Sequence, residues 1–173
     1  LAWLNGGRVS IRSSGDIDIA AGSLLDVSSG AAVLANGKTR GAKGGDVTLE
    51  SSASSAPAQS HMILDGELRG YGVTGGGSLA IQANKVVIGQ PLGPLDGLTL
   101  QLAPSLFNRG FSAYNVIGLN GLQVANDTRV DVSMPVYRFS NSALTGAGSN
   151  DPSAALELWT PTLFQENPVK GVL

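Results

Sequence analysis

Apolar and polar residues alternate with a period of two along most of the chain. In each short segment two or three aliphatic side chains occupy alternate positions, with small or polar side chains between them. Successive side chains of a β-strand point to opposite faces, so the pattern predicts strands with one buried and one solvated face. The predicted inward-facing sets are Val9/Ile11, Ile17/Ile19, Leu25/Val27, Val47/Leu49, Leu79/Ile81, Val86/Ile88, Leu98/Leu100/Leu102, Leu122/Val124 and Val130/Val132.

A glycine pair introduces such a strand three times. The phrase starts at Gly6, Gly44 and Gly76, so its copies lie 38 and then 32 residues apart. Each copy continues with one variable residue and an apolar–small–apolar triplet. Repetition on this scale indicates stacked similar units, and we expect the apolar residues after each pair to form one column. The longer first interval predicts an outgrowth of the chain around residues 31–43.

Short strands separated by frequent glycine and asparagine turns suit two architectures, an antiparallel sandwich or barrel and a parallel β-helix. The strand starts about 7–10 residues apart in the first third, the uniformly aliphatic core and the repeated phrase favour the β-helix. With two or three strands per coil and the phrase recurring at about two coils, we expect about eight or nine coils and a rod on the order of 40 Å long.

The pattern divides the chain into two parts. Residues 1–138 are predicted to form the coils, with outgrowths near 31–43 and 51–60. Residues 139–173 are predicted to form a loop followed by an irregular or edge-strand tail, because Pro161 and Pro168 cannot sit in a central strand. The chain starts at Leu1, without Met, and we expect it to be part of a longer filament.

Composition narrows the function classes. The net charge is −2, charged residues make up 14% and no Lys/Arg cluster occurs, which argues against nucleic acid as a partner. No apolar run approaches the about 20 residues that span a bilayer, so we expect no membrane insertion. The chain contains no Cys, which excludes disulfides and Cys-based metal sites. We expect no cofactor and no metal.

Candidate catalytic groups are sparse. His61 is the single histidine, and we interpret it as a half-exposed residue beside a strand. The carboxylate pairs Asp16/Asp18, Asp65/Glu67 and Asp127/Asp131 leave open a glycosidase or lyase reading, since carbohydrate-cleaving enzymes use paired carboxylates. We favour solvated charges that keep a rod soluble, and we predict no catalytic residue.

Aromatic side chains offer a different chemistry. They make up 5% of the chain, and a ring exposed near a turn can stack on a sugar. The candidate ligand-binding residues are Tyr71, Tyr114, Tyr137 and Trp159, with Phe111 also considered. Core placement is the competing interpretation for each, because large rings are usually buried.

Several segments resemble coils of large bacterial exoproteins of the filamentous haemagglutinin family, the secreted partners of two-partner secretion systems. The similar stretches are residues 22–31, 44–49, 110–121 and 121–132, within a region covering 1–138. The resemblance implies a right-handed parallel β-helix exported through an outer-membrane two-partner secretion transporter.

The same resemblance implies a secreted or cell-surface adhesin, a non-enzymatic virulence or biofilm factor whose partner is a surface glycan or matrix polysaccharide. Two alternatives remain open from the sequence. One is a fragment of a β-helical polysaccharide lyase or hydrolase, and the other is the stalk of a contact-dependent inhibition toxin.

Overall fold

The protein is all-β. The computed structural model describes residues 3–34, 38–51, 59–140 and 156–160. In that part of the chain no helix has the length and apolar character needed to cross a membrane. The elements are β1 (Arg8–Ser13), β2 (Ile17–Ile19), β3 (Leu24–Asp26), β4 (Ala31–Val33), β5 (Thr39–Gly41), β6 (Asp46–Ser51), β7 (Met62–Leu64), β8 (Glu67–Arg69), β9 (Ser78–Ala83), β10 (Lys85–Ile88), β11 (Thr99–Leu102), a 3₁₀ helix (Pro104–Asn108), β12 (Ala113–Gly118), β13 (Leu122–Val124), β14 (Val136–Phe139) and β15 (Leu156–Trp159).

The main sheet contains β1, β6, β9 and β12 in that order, and every neighbouring pair is parallel. The chain therefore returns to the same sheet three times in the same direction, and we call each segment from one of these strands to the next a pass. The returns place partners 38, 32 and 35 residues apart, as the pairs Arg8↔Asp46, Val47↔Leu79 and Ser78↔Ala113 show.

The apolar column predicted from the repeated phrase is confirmed. One row runs Val9, Val47, Leu79, Tyr114 and the next runs Ile11, Leu49, Ile81, Val116. Val47 and Leu49 have no exposed surface, and Leu79 and Ile81 are 1% exposed. Burial of these aliphatic faces is the main contribution that holds the passes together.

The remaining strands form shorter parallel stacks. β2 pairs with β7, and β3 pairs with β8. β10 lies between β11 and β13 and is parallel to both, while β11 lies against β7. Between the main-sheet strands, the second pass contributes β7 and β8, and the third contributes β10 and β11, which pair with each other.

Backbone crowding accounts for the glycine pairs. The Asp46 N–H donates to the Gly7 carbonyl oxygen at 3.0 Å. A Cβ on Gly45 would overlap that oxygen, and a Cβ on Gly77 would overlap the carbonyl of Gly45. Positive φ values occur elsewhere, for example at Gly22 and Gly121, and not within the pairs. The pairs therefore permit close approach between passes.

Several expectations were wrong in detail. The phrase occurs once per pass, and the main sheet of the described residues has four strands rather than about eight or nine coils. Val130 and Val132 pack against the core without forming a strand. Leu122 and Val124 do form β13, but both remain about half exposed. The core is also not purely aliphatic, because Phe107 is completely buried in it.

Two antiparallel pairs depart from the parallel stacks. β4 and β5 form a hairpin inside the interval where an outgrowth is expected. β14 and β15 pair at the other end of the chain, across the boundary predicted at 138/139. The second predicted outgrowth, 51–60, lies mostly outside the described residues, as does most of the predicted tail at 139–173.

Candidate functional site

An open cleft of about 410 Å³ lies between β7 and β8 of the second pass and β11 and the 3₁₀ helix of the third pass. It forms because β11 is placed beside β7, and the 3₁₀ helix that follows β11 stands opposite the turn between β7 and β8. Buried Leu68 and Leu102 form part of its floor. The polar lining residues are Asp65, Glu67, Gln101, Ser105 and Arg109. The volume falls in the usual range of small-molecule sites.

Glu67 is the most constrained polar group of the cleft. Arg69 on the same strand binds it bidentately, with Nε to Oε1 at 2.9 Å and Nη2 to Oε2 at 2.8 Å. Arg109 Nη1 donates to Oε1 from across the cleft at 3.0 Å. The Arg69 hydrogen bonds, with the charges of Arg69 and Arg109, lower the pKa of Glu67.

This geometry bears on the glycosidase reading of Asp65 and Glu67. A carboxyl that acts as general acid needs a raised pKa, whereas Glu67 has a lowered one. Glu67 therefore remains ionised and serves as an acceptor. The cleft offers interleaved acceptors and donors, namely two carboxylates, an amide, a hydroxyl and a guanidinium.

A second open cleft of about 420 Å³ lies beside the segment that connects β10 to β11. Lys85 Nζ and Asp96 Oδ2 are 2.7 Å apart there. Thr99 Oγ1 also donates to Asp96. These bonds hold the connecting segment against β10 and the start of β11, and hydrogen bonds from Lys85 and Thr99 lower the pKa of Asp96.

His61 and Asp16 meet at the start of the β2/β7 pair. The His61 backbone N–H donates to Asp16 Oδ1 at 2.7 Å, and Nδ1 lies 3.4 Å from the same oxygen. The backbone hydrogen bond is the largest cause that lowers the pKa of Asp16. Both side chains are more than half exposed, so this contact ties two strands together at the surface. Within the described ranges, no group of three or more potential metal ligands occurs.

The aromatic candidates lie in different environments. Tyr71 and Tyr114 are 6% and 4% exposed, so neither presents the open ring face that stacking on a sugar requires. Burial raises the pKa of Tyr114 to about 12. Tyr137 is half-buried and meets Tyr71 edge-on, with ring centroids 5.8 Å apart. Trp159 has the Arg138 guanidinium 5.0 Å above its ring.

The cleft residues were not singled out as a group by sequence reasoning. Asp65 and Glu67 were named as a pair, but their neighbours Gln101, Ser105 and Arg109 lie 34 or more residues farther along the chain. Phe111, considered as a ligand-binding ring, is completely buried and packs edge-on against Tyr114.

Comparison with known proteins gave no identification. No protein-family model matches the chain, and neither curated proteins nor solved structures gave a significant match.

Proposed function

We propose that this chain is a segment of a right-handed parallel β-helix belonging to a large secreted bacterial adhesin. The observation that carries the proposal is the in-register parallel order β1, β6, β9, β12, produced by passes of similar length. A chain that repeatedly returns to one sheet in one direction builds a stacked scaffold, in which each pass contacts chiefly its neighbours.

The outer face of the main sheet supports a role as an attachment surface. Its central row runs Ser10, Thr48, Ala80, Asn115, all small or uncharged. Charges on either side of that row pair between passes, with Arg8 to Asp46 at 3.2 Å and Arg12 to Glu50 at 2.9 Å. The resulting surface carries little net charge, which suits weak contacts repeated along a scaffold.

The cleft at Glu67 supports a saccharide as the ligand. Interleaved carboxylates and nitrogen donors match the hydroxyl groups of a sugar, which both donate and accept. We propose a surface glycan or matrix polysaccharide as partner and no catalytic turnover. Export by an outer-membrane two-partner secretion transporter and a cell-surface location rest on the family resemblance.

An adhesion assay tests this proposal. Beads coated with the chain should adhere to a film of extracted bacterial matrix polysaccharide more than albumin-coated beads do. Ser105→Trp, which fills the cleft from the exposed side of the 3₁₀ helix, should reduce retention under flow at least about tenfold, since many weak contacts multiply. Ser14→Trp, on an exposed turn, is the matched control.

Three results would contradict the proposal or a part of it. Equal retention of chain-coated and albumin-coated beads would remove the adhesive function. Release of new reducing ends or unsaturated sugars from the film would indicate an enzyme. Retention unaffected by Ser105→Trp, with adhesion otherwise intact, would place the binding surface outside the cleft and reject that assignment.

A further inference from the structure

A third open cleft, of about 360 Å³, adjoins the cleft at Glu67. Gln101 on β11 lines both of them, so the two clefts meet at this residue. The other residues that line the third cleft all belong to the segment that connects β10 to β11, and they are Gln90, Pro91, Gly93 and Leu95. A ligand that extends out of the cleft at Glu67 past Gln101 therefore enters the third cleft.

The segment that forms the wall of the third cleft is held near both of its ends. At its start, Gln101 Nε2 donates to the Gly89 carbonyl oxygen at 2.8 Å. Near its end, Lys85 Nζ donates to Asp96 Oδ2 at 2.7 Å. Two prolines between these anchors fix the backbone φ at their positions. The wall is thus preorganised, and a ligand that binds against it loses little affinity to ordering of the segment.

The residues that line the third cleft carry no charge. Gln90 and Gln101 supply amides, while Pro91 and Leu95 supply half-buried apolar surface. The bond to Gly89 uses one donor of the exposed Gln101 amide, which has a second donor and an acceptor oxygen as well. A sugar ring carries hydroxyl groups at its edge and C–H groups on its faces, so it can use both kinds of lining.

Charge in the two clefts favours an uncharged ligand. The cationic residue that lines the cleft at Glu67 is Arg109, and its guanidinium already donates to Glu67 Oε1 at 3.0 Å. The third cleft adds no cation to it. A uronate or sulfate group of an acidic saccharide would have to compete with Glu67 for Arg109, whereas a hydroxyl group can accept or donate without breaking that ion pair.

We propose that the two clefts together bind one neutral polysaccharide chain through at least two consecutive sugar residues. One sugar lies against Glu67 and Arg109, and the next lies against Gln101 and Pro91. Both clefts are open, so the chain can continue beyond them, and the ligand is the interior of a chain rather than a single terminal sugar. The inference rests on the proposed function of the cleft at Glu67 as a saccharide site and adds the length and charge of the ligand.

Isothermal titration of the soluble 173-residue chain with saccharide fragments tests the proposal. The probes are fragments from partial acid hydrolysis of the matrix polysaccharide used in the adhesion assay, separated by charge and then by size. Neutral tetrasaccharides should bind at least about tenfold more tightly than neutral monosaccharides, because they reach both clefts at once. Acidic tetrasaccharides should bind at least about tenfold more weakly than neutral ones.

Gly93→Leu separates the two clefts. No described atom lies within 4 Å of the Cβ position of Gly93 and its φ is not positive, so the backbone accepts a side chain there. This variant should lose the preference for tetrasaccharides and keep the affinity for monosaccharides, whereas Ser105→Trp should weaken the binding of both. Gly15→Leu makes the same change on an exposed turn, where the added Cβ meets only Ser13 Oγ at 3.7 Å, and is the matched control.

Equal affinity of the parent chain for neutral monosaccharides and tetrasaccharides would overturn the proposal, as would an absence of binding to any fragment. Tetrasaccharide binding by Gly93→Leu as tight as that by Gly15→Leu would reject the third cleft as part of the site. Acidic fragments that bind as tightly as neutral ones would reject the assigned charge. Failure of the adhesin function is a separate result, namely length-dependent binding of neutral fragments by a chain whose coated beads do not adhere.

Discussion

Replacement of Gly45 by alanine probes the contact between the first and second passes. An added Cβ would overlap the Gly7 carbonyl oxygen and lie 2.8 Å from the Gly7 carbonyl carbon and 2.7 Å from that of Gly6. All three atoms belong to the backbone, so no side-chain rotation can relieve the contact. The Gly7 carbonyl group must retreat by at least about 0.6 Å to bring its carbon to ordinary van der Waals separation, and its overlapping oxygen must move farther.

The size of that displacement determines how much Gly45→Ala should lower the free energy of unfolding. The Asp46 N–H donates to the Gly7 oxygen at 3.0 Å, and the displacement lengthens it to a separation at which a hydrogen bond no longer exists. The Gly45 N–H, which donates to Val27 at 2.7 Å, is strained as well. Loss of one or two such bonds costs about 0.5–3 kcal/mol and overpacking adds about 1–3 kcal/mol. We expect Gly45→Ala to lower the free energy of unfolding by about 2–5 kcal/mol.

Gly7→Ala is the matched control, because it makes the same change in another copy of the phrase. No described atom lies within 4 Å of its Cβ position. Its effect should stay between about 0.5 kcal/mol destabilising and 1 kcal/mol stabilising, the latter from lower entropy of the unfolded chain. Urea unfolding of dilute protein gives both values. Equal destabilisation by the two variants would refute the close-approach account of the glycine pairs.

Three further predictions follow from burial and charge. Leu49→Ala, in the fully buried column, should lower the free energy of unfolding by about 3–5 kcal/mol in urea titrations. Leu92→Ala, at a 96% exposed residue, should change it by no more than about 0.5 kcal/mol, and a reversed order would contradict the described burial. Hydrogen bonds from the Ser78 backbone and hydroxyl lower the pKa of Asp46 below 3.8, so its carboxylate stabilises the fold above that pH and loses the effect as pH falls through the folded pKa. The difference in unfolding free energy between the parent and Asp46→Asn should therefore shrink as pH falls below 3.8, and a constant difference would contradict the assigned contacts.

The main sheet was predictable where the sequence repeats itself. Two glycines followed by alternating aliphatics give the same register in each copy, and the column through Val47 and Leu79 follows from that alignment. The fourth strand was harder to assign to the series, because Phe111 and Ser112 replace the glycine pair before it. The Ser112 hydroxyl oxygen lies 2.8 Å from the carbonyl oxygens of both Gly76 and Gly77, so its single hydrogen is shared between them.

The number of coils and the cleft were not predictable from period-two alternation. That pattern identifies a strand and its buried face, but it does not specify the partner strand. β10 and β11 belong to the same pass and pair in parallel, which requires the segment between them to carry the chain back to its starting side. Because β11 lies beside β7, Arg109 comes within hydrogen-bond distance of Glu67. These residues are 42 apart in the sequence, and no local sequence pattern predicts their contact.

Proximity of outward-facing residues on successive passes tests the stacked scaffold most directly. Thr48 and Ala80 are direct partners in the β6/β9 pair, so their Cα atoms are expected about 4.8 Å apart, within reach of a direct disulfide formed by oxidation of two introduced cysteines. Gln82 faces the same side two residues farther along, about 8 Å from Thr48 and beyond that reach. The chain has no native Cys to interfere.

We expect rapid intramolecular cross-linking of the folded Thr48→Cys/Ala80→Cys variant and little or none of Thr48→Cys/Gln82→Cys. The pairs Ser10/Thr48 and Ala80/Asn115 should behave like the first variant, because the same register continues through all four strands. Equal cross-linking of the in-register and offset variants, or none in a folded in-register variant, would contradict the stacked parallel passes on which the proposed scaffold rests.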